Sequence, residues 1–567
     1  MLQSKKIQSY IQLALLTGIL IVINILGSAV YDHIDLTEDK RFTLSEPTVK
    51  MVENLDERVF VKILLDGEFP AGFKRLQRAT IEMLDELNSL SSYIEYEFDN
   101  PNLGTVEEIN QRRENLAKEG IRPTNLRVED VDEVKEILIY PYAIMYHRGR
   151  QSTINLLESE VLGVPNQITL NNSVSLLEYK FANALQKIQL YRKRPILFLQ
   201  GHGELADVQT ADLRKQIKPY YNFGDVSLDT VYQIKPEVAA LVIAKPRVGF
   251  SDRDKFIIDQ YIMSGGKVLW MLDALNVNLD SLRVRKEYIP LPRELNLDDM
   301  LFKYGARVKQ NLLLDWFCTK IPMVTGNLGS GNQYDLFRWY YHPLVAPASN
   351  HPVVKGLGQV NMLFPSTIDT IRTKTPVKKS ILLASSPRSR VQNYLSRLNF
   401  EILRYEPDIE KFNQGRQPVA VMLEGTFSSA FENRVSDGMM AGLRKIDQEF
   451  KPSSAPTRML VVSDGDVPKN LYNPTNRNIS PMGYNQYERK TFSGNKDFLI
   501  NAIEYLLDDT GVIEARSKEV KLRLLDTAKA KAEKTQWRLF NILVPLVFLL
   551  VFGFIYQYIR RRRYAQP

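Results

Sequence analysis

One stretch near the end of the chain constrains its fold most: residues 539–558 carry no charge and read LFNILVPLVFLLVFGFIYQY. At about 1.5 Å of rise per residue, a helix of this length crosses a hydrocarbon core of about 30 Å. A single segment in lipid can satisfy its backbone groups only as a helix, and membrane helices tolerate Pro545 and Gly553. The alternative is a buried core helix, but long core helices usually keep a polar face. We therefore predict a transmembrane helix.

A second charge-free run occupies residues 11–30, after Lys5 and Lys6 and before a cluster of acids. Cations before a span and acids after it favour an N-terminus in the cytoplasm. The alternative is a cleaved signal peptide, but the run is longer than a usual signal-peptide core, so we favour an uncleaved anchor. The four arginines at 560–563 favour the cytoplasm for the C-terminus too. Cations at 529, 531, 534 and 538 lie on the wrong side for this rule and weaken the orientation without reversing it.

These signals predict both termini in the cytoplasm, two spans in the inner membrane and a body in the periplasm. The predicted segments are a cytoplasmic N-terminus (1–10), a first span (11–30), an N-terminal α/β domain (31–170), a second α/β domain with a loop-rich insertion (171–375), a C-terminal α/β part (376–513), a charged helical stalk (514–538), a second span (539–558) and a basic tail (559–567).

Composition restricts the class of protein. The 567 residues are 44% hydrophobic and 25% charged, as in a globular protein. The net charge of +8 is spread along the chain, and no nucleic-acid-binding motif is visible, so we predict no nucleic-acid partner. A single cysteine, Cys318, excludes an internal disulfide and a cysteine-rich zinc site.

Residues 31–170 show alternating strand and helix patterns. The predicted elements are strands at 58–65 and 93–98, helices at 73–90 and 106–119, and two apolar runs within 134–148 that flank Pro141 and should pair as strands. This order of elements is compatible with a small thioredoxin-like layer.

Residues 171–513 contain apolar strands separated by helices. The predicted strands lie at 195–200, 226–228, 239–244, 267–272, 379–384, 419–423 and 459–463. Helices at about 207 onward and at 252–263 separate the first of these strands, which predicts a doubly wound α/β domain. The stretch 319–350 is rich in Gly, Pro, Asn and aromatic residues and is predicted to form long, ordered loops.

A candidate ligand-binding site lies where these strands end. Gly201-His202-Gly203-Glu204 follows one buried strand, and Asp273 follows another. Ligands of doubly wound sheets bind at the carboxyl ends of strands, and His and Glu can exchange protons. The structural interpretation, which we favour, is that the glycines make a tight turn and that Glu204 complements the next helix dipole.

Other chemistry is weakly signalled. Cys318 lacks the small-residue elbow of a nucleophile, and no G-x-S-x-G pattern occurs, so no catalytic residue is predicted. Asp464-Gly465-Asp466 could hold a cation, but a turn at a strand end is the better interpretation. No zinc-ligand cluster or Walker A pattern is present, so we predict no metal, no cofactor and no ATP hydrolysis by a P-loop.

Four segments together resemble the GldG family: DLTEDKRFTLSEPT after the first run, PILFLQGHGE at 195–204, IIDQYIMSGGKVLWMLD at 257–273 and KDFLINAIEYLLDD at 496–509. The resemblance spans nearly the whole chain. It implies an auxiliary subunit of an ABC transporter associated with gliding motility in Bacteroidota, a domain related in fold to class I glutamine amidotransferases, and a permease and an ATPase on separate chains. The amidotransferase kinship implies no reaction, because the catalytic cysteine has no counterpart here.

We therefore expect a non-catalytic, membrane-anchored subunit whose body contacts the permease or envelope motility proteins. Two alternatives remain open from the sequence. One is a receptor that delivers a solute to the permease. The other is a hydrolase or transferase that uses the crevice beside His202 and Glu204.

Overall fold

A computed structural model describes the chain as two compact units, Met1–Glu519 and Val520–Pro567. The residues it describes are 2–29, 43–129, 134–158, 166–190, 193–285, 287–327, 331–403, 407–517, 529 and 532–564. Most of the predicted stalk, 514–538, lies outside these residues.

Both predicted spans are helical where they are described. The helix Leu2–Ala29 includes most of the first, and Lys534–Tyr564 includes all of the second. Within the described residues, one helix is long and apolar enough to cross a membrane: Lys534–Arg562, with none of its apolar stretch buried. The apolar part of the N-terminal helix, Tyr10–Asn24, is shorter.

A four-stranded sheet organises the N-terminal part of the body. In spatial order its strands are Ile94–Phe98, Val59–Ile63, Tyr142–His147 and Arg150–Asn155. The first two are parallel, and the last two form an antiparallel hairpin beside them. The helices Ala71–Leu90 and Leu177–Gln189 each bury leucines and one phenylalanine against this sheet. The strand Val59–Ile63 alternates in burial, as the period of two predicts.

The predicted pairing across Pro141 is wrong. Val134–Ile139 pairs with Thr124–Glu129, whereas Tyr142–His147 joins the four-stranded sheet. Proline lacks an N–H and holds the preceding residue extended, so the chain passes from one sheet to another here instead of reversing. A 2.8 Å hydrogen bond from the Tyr142 N–H to the Tyr140 carbonyl marks this step.

A large sheet forms the centre of the body. In spatial order its nine main strands are Asn222–Ser227, Pro195–Gln200, Ala240–Ala244, Val268–Met271, Thr457–Val462, Pro418–Gly425, Val377–Ala384, Asn332–Pro347 and Cys318–Asn327. A tenth, Val360–Asn361, pairs with Asn332–Pro347. The first five are parallel and the others antiparallel. By chain position the parallel strands run second, first, third, fourth and fifth, an order of doubly wound sheets.

Both faces of this sheet are covered. Leu241 and Ile243 belong to one hydrophobic core with the helix Asp252–Met263, whereas Val242 belongs to a second core with the helix Ser493–Leu507. Alternate residues of a strand point to opposite faces, which explains why the strand is apolar throughout. Strands from residues 171–375 and from residues 376–513 both contribute to this sheet.

The predicted loops at 319–350 are instead a long antiparallel hairpin, Cys318–Asn327 with Asn332–Pro347. Pro322 lies in the edge strand, where a missing N–H costs no ladder hydrogen bond. Trp339, Tyr340 and Tyr341 are buried in an aromatic cluster with Phe412. The aromatic and β-branched residues therefore decided the structure, whereas the Gly and Pro content had suggested loops.

Shorter elements complete the described body. The remaining helices are Glu46–Glu53, Val106–Lys118, Asn166–Ser175, Ala211–Ile217, Leu279–Arg285, Asp298–Tyr304 and Asp437–Lys445. The remaining strands are Leu275–Asn276, Glu287–Tyr288, Leu291–Pro292, Ala306–Val308, Asn311–Asp315, Ile368–Thr370, Ser389–Asn393, Leu398–Asn399, Tyr472–Asn473, Asn478–Ile479, Tyr484–Asn485 and Lys490–Thr491.

Candidate functional site at the carboxyl edge of the large sheet

Four polar segments follow four neighbouring parallel strands. They are residues 201–204, Lys245, Asp273 and residues 464–466. Because these strands are parallel, their carboxyl ends share one edge of the sheet, where doubly wound folds bind ligands. The three candidate residues from the sequence, His202, Glu204 and Asp273, all lie at this edge.

His202 and Glu204 form a braced turn. Gly201 and Gly203 have φ angles of +118° and +74°, which favour glycine. The Glu204 carboxylate accepts a 2.7 Å hydrogen bond from the His202 N–H. The His202 carbonyl accepts two further bonds, from the N–H groups of Arg247 at 2.7 Å and Val248 at 2.8 Å. These contacts tie the turn to the residues that follow Ala240–Ala244, the neighbouring strand in the sheet.

The His202 ring is buried against the start of the helix Asp252–Met263. It stacks on Phe250 with ring centroids 3.9 Å apart, and its two nitrogens lie 3.4 Å from carboxylate oxygens of Glu204 and Asp254. Burial alone would lower the pKa of His202, but the two carboxylates outweigh it and the pKa is raised. Among the described residues, the His202 Nδ1 and the Glu204 Oε1 make no hydrogen bond, so charge alone joins these two atoms. We call His202 with its two neighbouring carboxylates the ionic brace.

Asp273 belongs to a different cluster. Its carboxylate accepts a 2.7 Å hydrogen bond from the Gly465 N–H and lies 3.0 Å from the Lys245 ammonium. Lys245 also forms an ion pair with Asp466. In the described part of the chain, the polar partners of Asp273 are Lys245, Gly465 and Arg293, and they do not include His202 or Glu204.

Three carboxylates meet around Lys245. Oxygens of Asp273, Asp464 and Asp466 lie within 4.8 Å of one another, a spacing that could suit a cation. Burial raises the pKa of Asp466, but the charges of Lys245 and Lys469 outweigh it and lower that pKa to about 2. Burial and the neighbouring carboxylates raise the pKa of Asp464 well above its usual value. Lys245 therefore supplies the cation of this cluster, and residues 464–466 form the predicted turn at a strand end.

Lys245 has an unusual backbone. Its φ angle is +56°, a left-handed conformation that long side chains rarely adopt. Gly465 packs so closely against it that a Cβ on Gly465 would lie 2.5 Å from the Cβ of Lys245. Sequence reasoning missed Lys245, although a charged residue directly after the apolar run AALVIA was an available signal. Strained residues held by their surroundings cluster at functional sites.

A cavity of about 510 Å³ opens beside this cluster. Its lining includes Lys245, Arg293, His342, Phe364 and Asp466, drawn from five segments far apart in sequence. Its volume is within the usual range of small-molecule sites. Neither His202 nor Glu204 is among the lining residues. The cavity, and not the GHGE turn, is the better candidate binding site.

His342 lies in the wall of this cavity and is almost fully buried. Burial lowers its pKa to about 3, so the ring is neutral at neutral pH. Its Nε2 has no hydrogen-bond partner among the described residues. The ring meets Phe364 edge to face, with centroids 4.8 Å apart. Nothing in the local sequence had marked His342, because its surroundings come from distant segments.

Cys318 begins the edge strand of the long hairpin and is partly buried. Burial raises the pKa of its thiol to about 12. Thiolate is the reactive form, so this cysteine is poorly suited to act as a nucleophile.

Comparison with known proteins adds the family. A family model described as an ABC-type uncharacterized transport system matches residues 193–502, and a Domain of unknown function (DUF7088) matches residues 38–146. An uncharacterized protein of Borreliella burgdorferi is 22% identical over 448 residues, which cover 75% of this chain and 79% of that protein.

Two solved structures are similar in part. The mmIFT52 N-terminal domain has a TM-score of 0.30 and 13% identity, covering 55% of this chain and 97% of its own. The exo-beta-1,4-mannosidase Op5Man5 from Opitutaceae bacterium strain TAV5 has a TM-score of 0.19 and 11% identity, covering 53% and 35%. Both TM-scores are too low to indicate a shared fold. The first family model, in contrast, spans more than half of the 567 residues, and the chain belongs to the auxiliary-protein family of ABC-type uncharacterized transport systems.

Proposed function

We propose that the chain is a non-catalytic, membrane-anchored auxiliary subunit of an ABC transporter whose permease and ATPase are separate chains. The observation that carries this proposal is the apolar helix Lys534–Tyr564 in a chain of this transport family. A long helix with an exposed apolar surface needs lipid or a partner to cover it. Membership of an ABC transport system makes a permease a natural neighbour in that membrane.

In the topology that we propose, the N-terminal helix Leu2–Ala29 also spans the membrane. Both termini are then cytoplasmic, and the body is in the periplasm. The support is the placement of Lys5 and Lys6 before the apolar run at 11–30 and of four arginines after the apolar run at 539–558. The segment boundaries set out from the sequence belong to this proposal.

The resemblance to the GldG family adds a role in gliding motility and contact with envelope motility proteins to the proposal. The doubly wound order of the parallel strands supports kinship with class I glutamine amidotransferases. The four-stranded sheet, with two parallel strands beside a hairpin, supports a thioredoxin-like N-terminal layer. Function does not follow from either fold.

Two observations support a body without catalysis. His202 and Glu204, the residues of the hydrolase or transferase alternative, are buried, and the His202 ring lies between the carboxylates of Glu204 and Asp254. Cys318 has a thiol pKa of about 12. A nucleophile needs an activated, accessible group, and these residues do not provide one.

The subunit proposal is tested by purifying an affinity-tagged, full-length chain from membranes in mild detergent. The permease and the ATPase should co-purify. Leu550→Arg places a charge in the C-terminal span and should reduce co-purification, while the N-terminal span keeps the chain in the membrane. Phe302→Arg, at an exposed position of the body, is the matched control. A wild-type chain that purifies alone after mild crosslinking would contradict the proposal.

The topology is tested separately by protease digestion of intact and lysed spheroplasts. A periplasmic body should be cleaved in intact spheroplasts, whereas a tag on the C-terminus should become accessible only after lysis. Protection of the body in intact spheroplasts would contradict the orientation.

A receptor that binds a solute for the permease is the second candidate function. The cavity beside Lys245 favours it, because the cavity lies at the edge where such sheets bind ligands and has the volume of a ligand site. A ligand of the folded state would raise the melting temperature of the full-length chain. One chain can serve as both receptor and subunit, and the two experiments test these functions independently.

A further inference from the structure

We infer that the cavity beside Lys245 binds a small organic anion, a carboxylate or a phosphate ester, held by Arg293, Arg247 and Lys469. The inference deepens the receptor function and rests on it. It does not depend on co-purification with a permease.

The position of the cavity is the first argument. Lys245 and Arg247 follow the strand Ala240–Ala244, which neighbours the first parallel strand, Pro195–Gln200. Asp466 and Lys469, which also line the cavity, follow the strand Thr457–Val462, whereas residues 201–204 after the first strand do not line it. The cavity therefore lies outside the carboxyl ends of parallel strands, where doubly wound sheets bind ligands.

The balance of charge is the second argument. Four cations line the cavity, Lys245, Arg247, Arg293 and Lys469, against two acids, Asp280 and Asp466. Asp466 is shared by Lys245 and Lys469, the latter at 3.3 Å. The lining therefore has a positive excess, and two of its four cations are arginines, whose planar group matches carboxylate and phosphate oxygens.

Arg293 is the best-placed of these cations. Its side chain is only 10% exposed, and its Nε lies 4.0 Å from an oxygen of Asp273. One terminal nitrogen donates a 3.1 Å hydrogen bond to Asn276, but the Nε has no hydrogen-bond partner within the described ranges. A buried donor without a partner is costly, and an anion would satisfy it.

Neutral polar atoms around the cavity are also unsatisfied. The Nε2 of His342 and the Oδ1 of Asn361 are both buried and lack hydrogen-bond partners in the part of the chain that the structure describes. Both residues line the cavity. Buried polar groups are normally hydrogen-bonded, so two such groups beside one cavity indicate a polar ligand or ordered water there.

Part of the lining is aromatic. Phe364, Tyr484 and Tyr487 contribute to it, and all three are half-buried. Phe364 has a φ angle of +55°, so the cavity has two side chains on left-handed backbone, Phe364 and Lys245. Aromatic walls bind the carbon skeleton of a ligand, whereas the few polar groups orient it. This combination suits an organic anion better than a bare inorganic ion.

Isothermal titration of the full-length chain in detergent micelles tests the inference. The probes are succinate, its neutral isostere succinamide, and inorganic phosphate. Saturable binding of succinate or phosphate is expected, with succinamide weaker by about 10- to 100-fold, the effect of losing one or two charge-assisted hydrogen bonds. Binding of succinate alone would identify a carboxylate ligand, binding of phosphate alone a phosphate ester, and binding of both a general organic-anion site.

Two variants and a control locate the site. Arg293→Gln and Arg247→Gln should each weaken anion binding by about 10- to 100-fold. Arg247 is exposed, so Arg247→Gln should not destabilise the fold. This variant therefore tests the site even if Arg293→Gln lowers the melting temperature. Arg416→Gln, an exposed arginine outside the cavity, should bind as the wild type does.

Three results would overturn the inference: no binding of either anion, equal binding of succinate and succinamide, or unchanged binding by both cavity variants. Binding of succinamide without anion binding would overturn it and leave the receptor function standing. Loss of co-purifying subunits with anion binding intact would instead count against the subunit function.

Discussion

The Lys245 ammonium lies 3.0 Å from the carboxylate of Asp273, and less than a tenth of either side chain is exposed. The two residues end neighbouring parallel strands, Ala240–Ala244 and Val268–Met271. Burial disfavours charge on Lys245, but Asp273, Asp466 and Asp464 outweigh it and raise its pKa. This pair therefore ties the carboxyl edge of the sheet together and sets the charge beside the cavity.

Lys245→Met should destabilise the body by about 3–5 kcal/mol, because it leaves buried carboxylates without their cation. The measurement is the shift of the chemical unfolding midpoint in detergent. Lys235→Met, at an exposed lysine, should change stability by less than about 0.5 kcal/mol. Asp466→Asn in the Lys245→Met background should recover part of the loss. Equal stability of the two single variants would contradict a paired Lys245.

Gly465→Ala should also destabilise the body, because the added Cβ would meet the Cβ of Lys245 at 2.5 Å. A shift of about 1–3 kcal/mol is expected from such overpacking. The control is Gly442→Ala in the helix Asp437–Lys445, where a Cβ meets nothing within 4 Å. That change should stabilise by up to about 1 kcal/mol, since alanine favours helix. Tolerance of alanine at both positions would refute the close approach.

The ionic brace at His202 predicts a dependence on pH. The pKa of His202 is raised in the folded state, so its stabilising contribution is full below its ordinary value of 6.5 and is lost as the pH rises through the folded pKa. Melting temperatures of wild type and His202→Gln, measured across this range, should show the decline only in the wild type. Glu204 and Asp254 are the carboxylates that face the ring. Parallel pH profiles for the two proteins would exclude this coupling.

Cys318 should react slowly with iodoacetamide at neutral pH while the chain is folded, because its thiol pKa is about 12. Unfolding in denaturant should restore ordinary reactivity. Thr475→Cys in a Cys318→Ser background provides an exposed thiol for comparison. Mass spectrometry of the alkylated chain measures both rates, and similar rates in the folded state would show that Cys318 is not protected.

Local elements were largely predictable. The period of two in residues 58–65 predicted the strand Val59–Ile63, and helical spacing predicted Ala71–Leu90 within two residues at its start. The hairpin Cys318–Asn327 with Asn332–Pro347 was missed, because its Gly and Pro content outweighed its aromatic residues in the sequence reading. Its strands depend on partners across the sheet and on the buried aromatic cluster, which composition does not reveal.

The site was predictable only in part. Asp273 and Asp464-Gly465-Asp466 each stood out as polar residues after an apolar strand. The ion pairs that join these residues to Lys245 could not be predicted. They form because the strands Val268–Met271 and Thr457–Val462 are adjacent in the sheet, although nearly two hundred residues separate them in the sequence.

The amino-acid sequence by itself determined where the chain is apolar enough for lipid, which stretches are helix or strand, and which polar residues end the strands. Those properties depend on the spacing and solvation of neighbouring residues along the chain. Only the tertiary structure decided that His202 lies between two carboxylates, that Lys245 pairs with both Asp273 and Asp466, and that a cavity opens beside them. Charge pairing and burial depend on distances across the sheet, and these are set by the order of its strands.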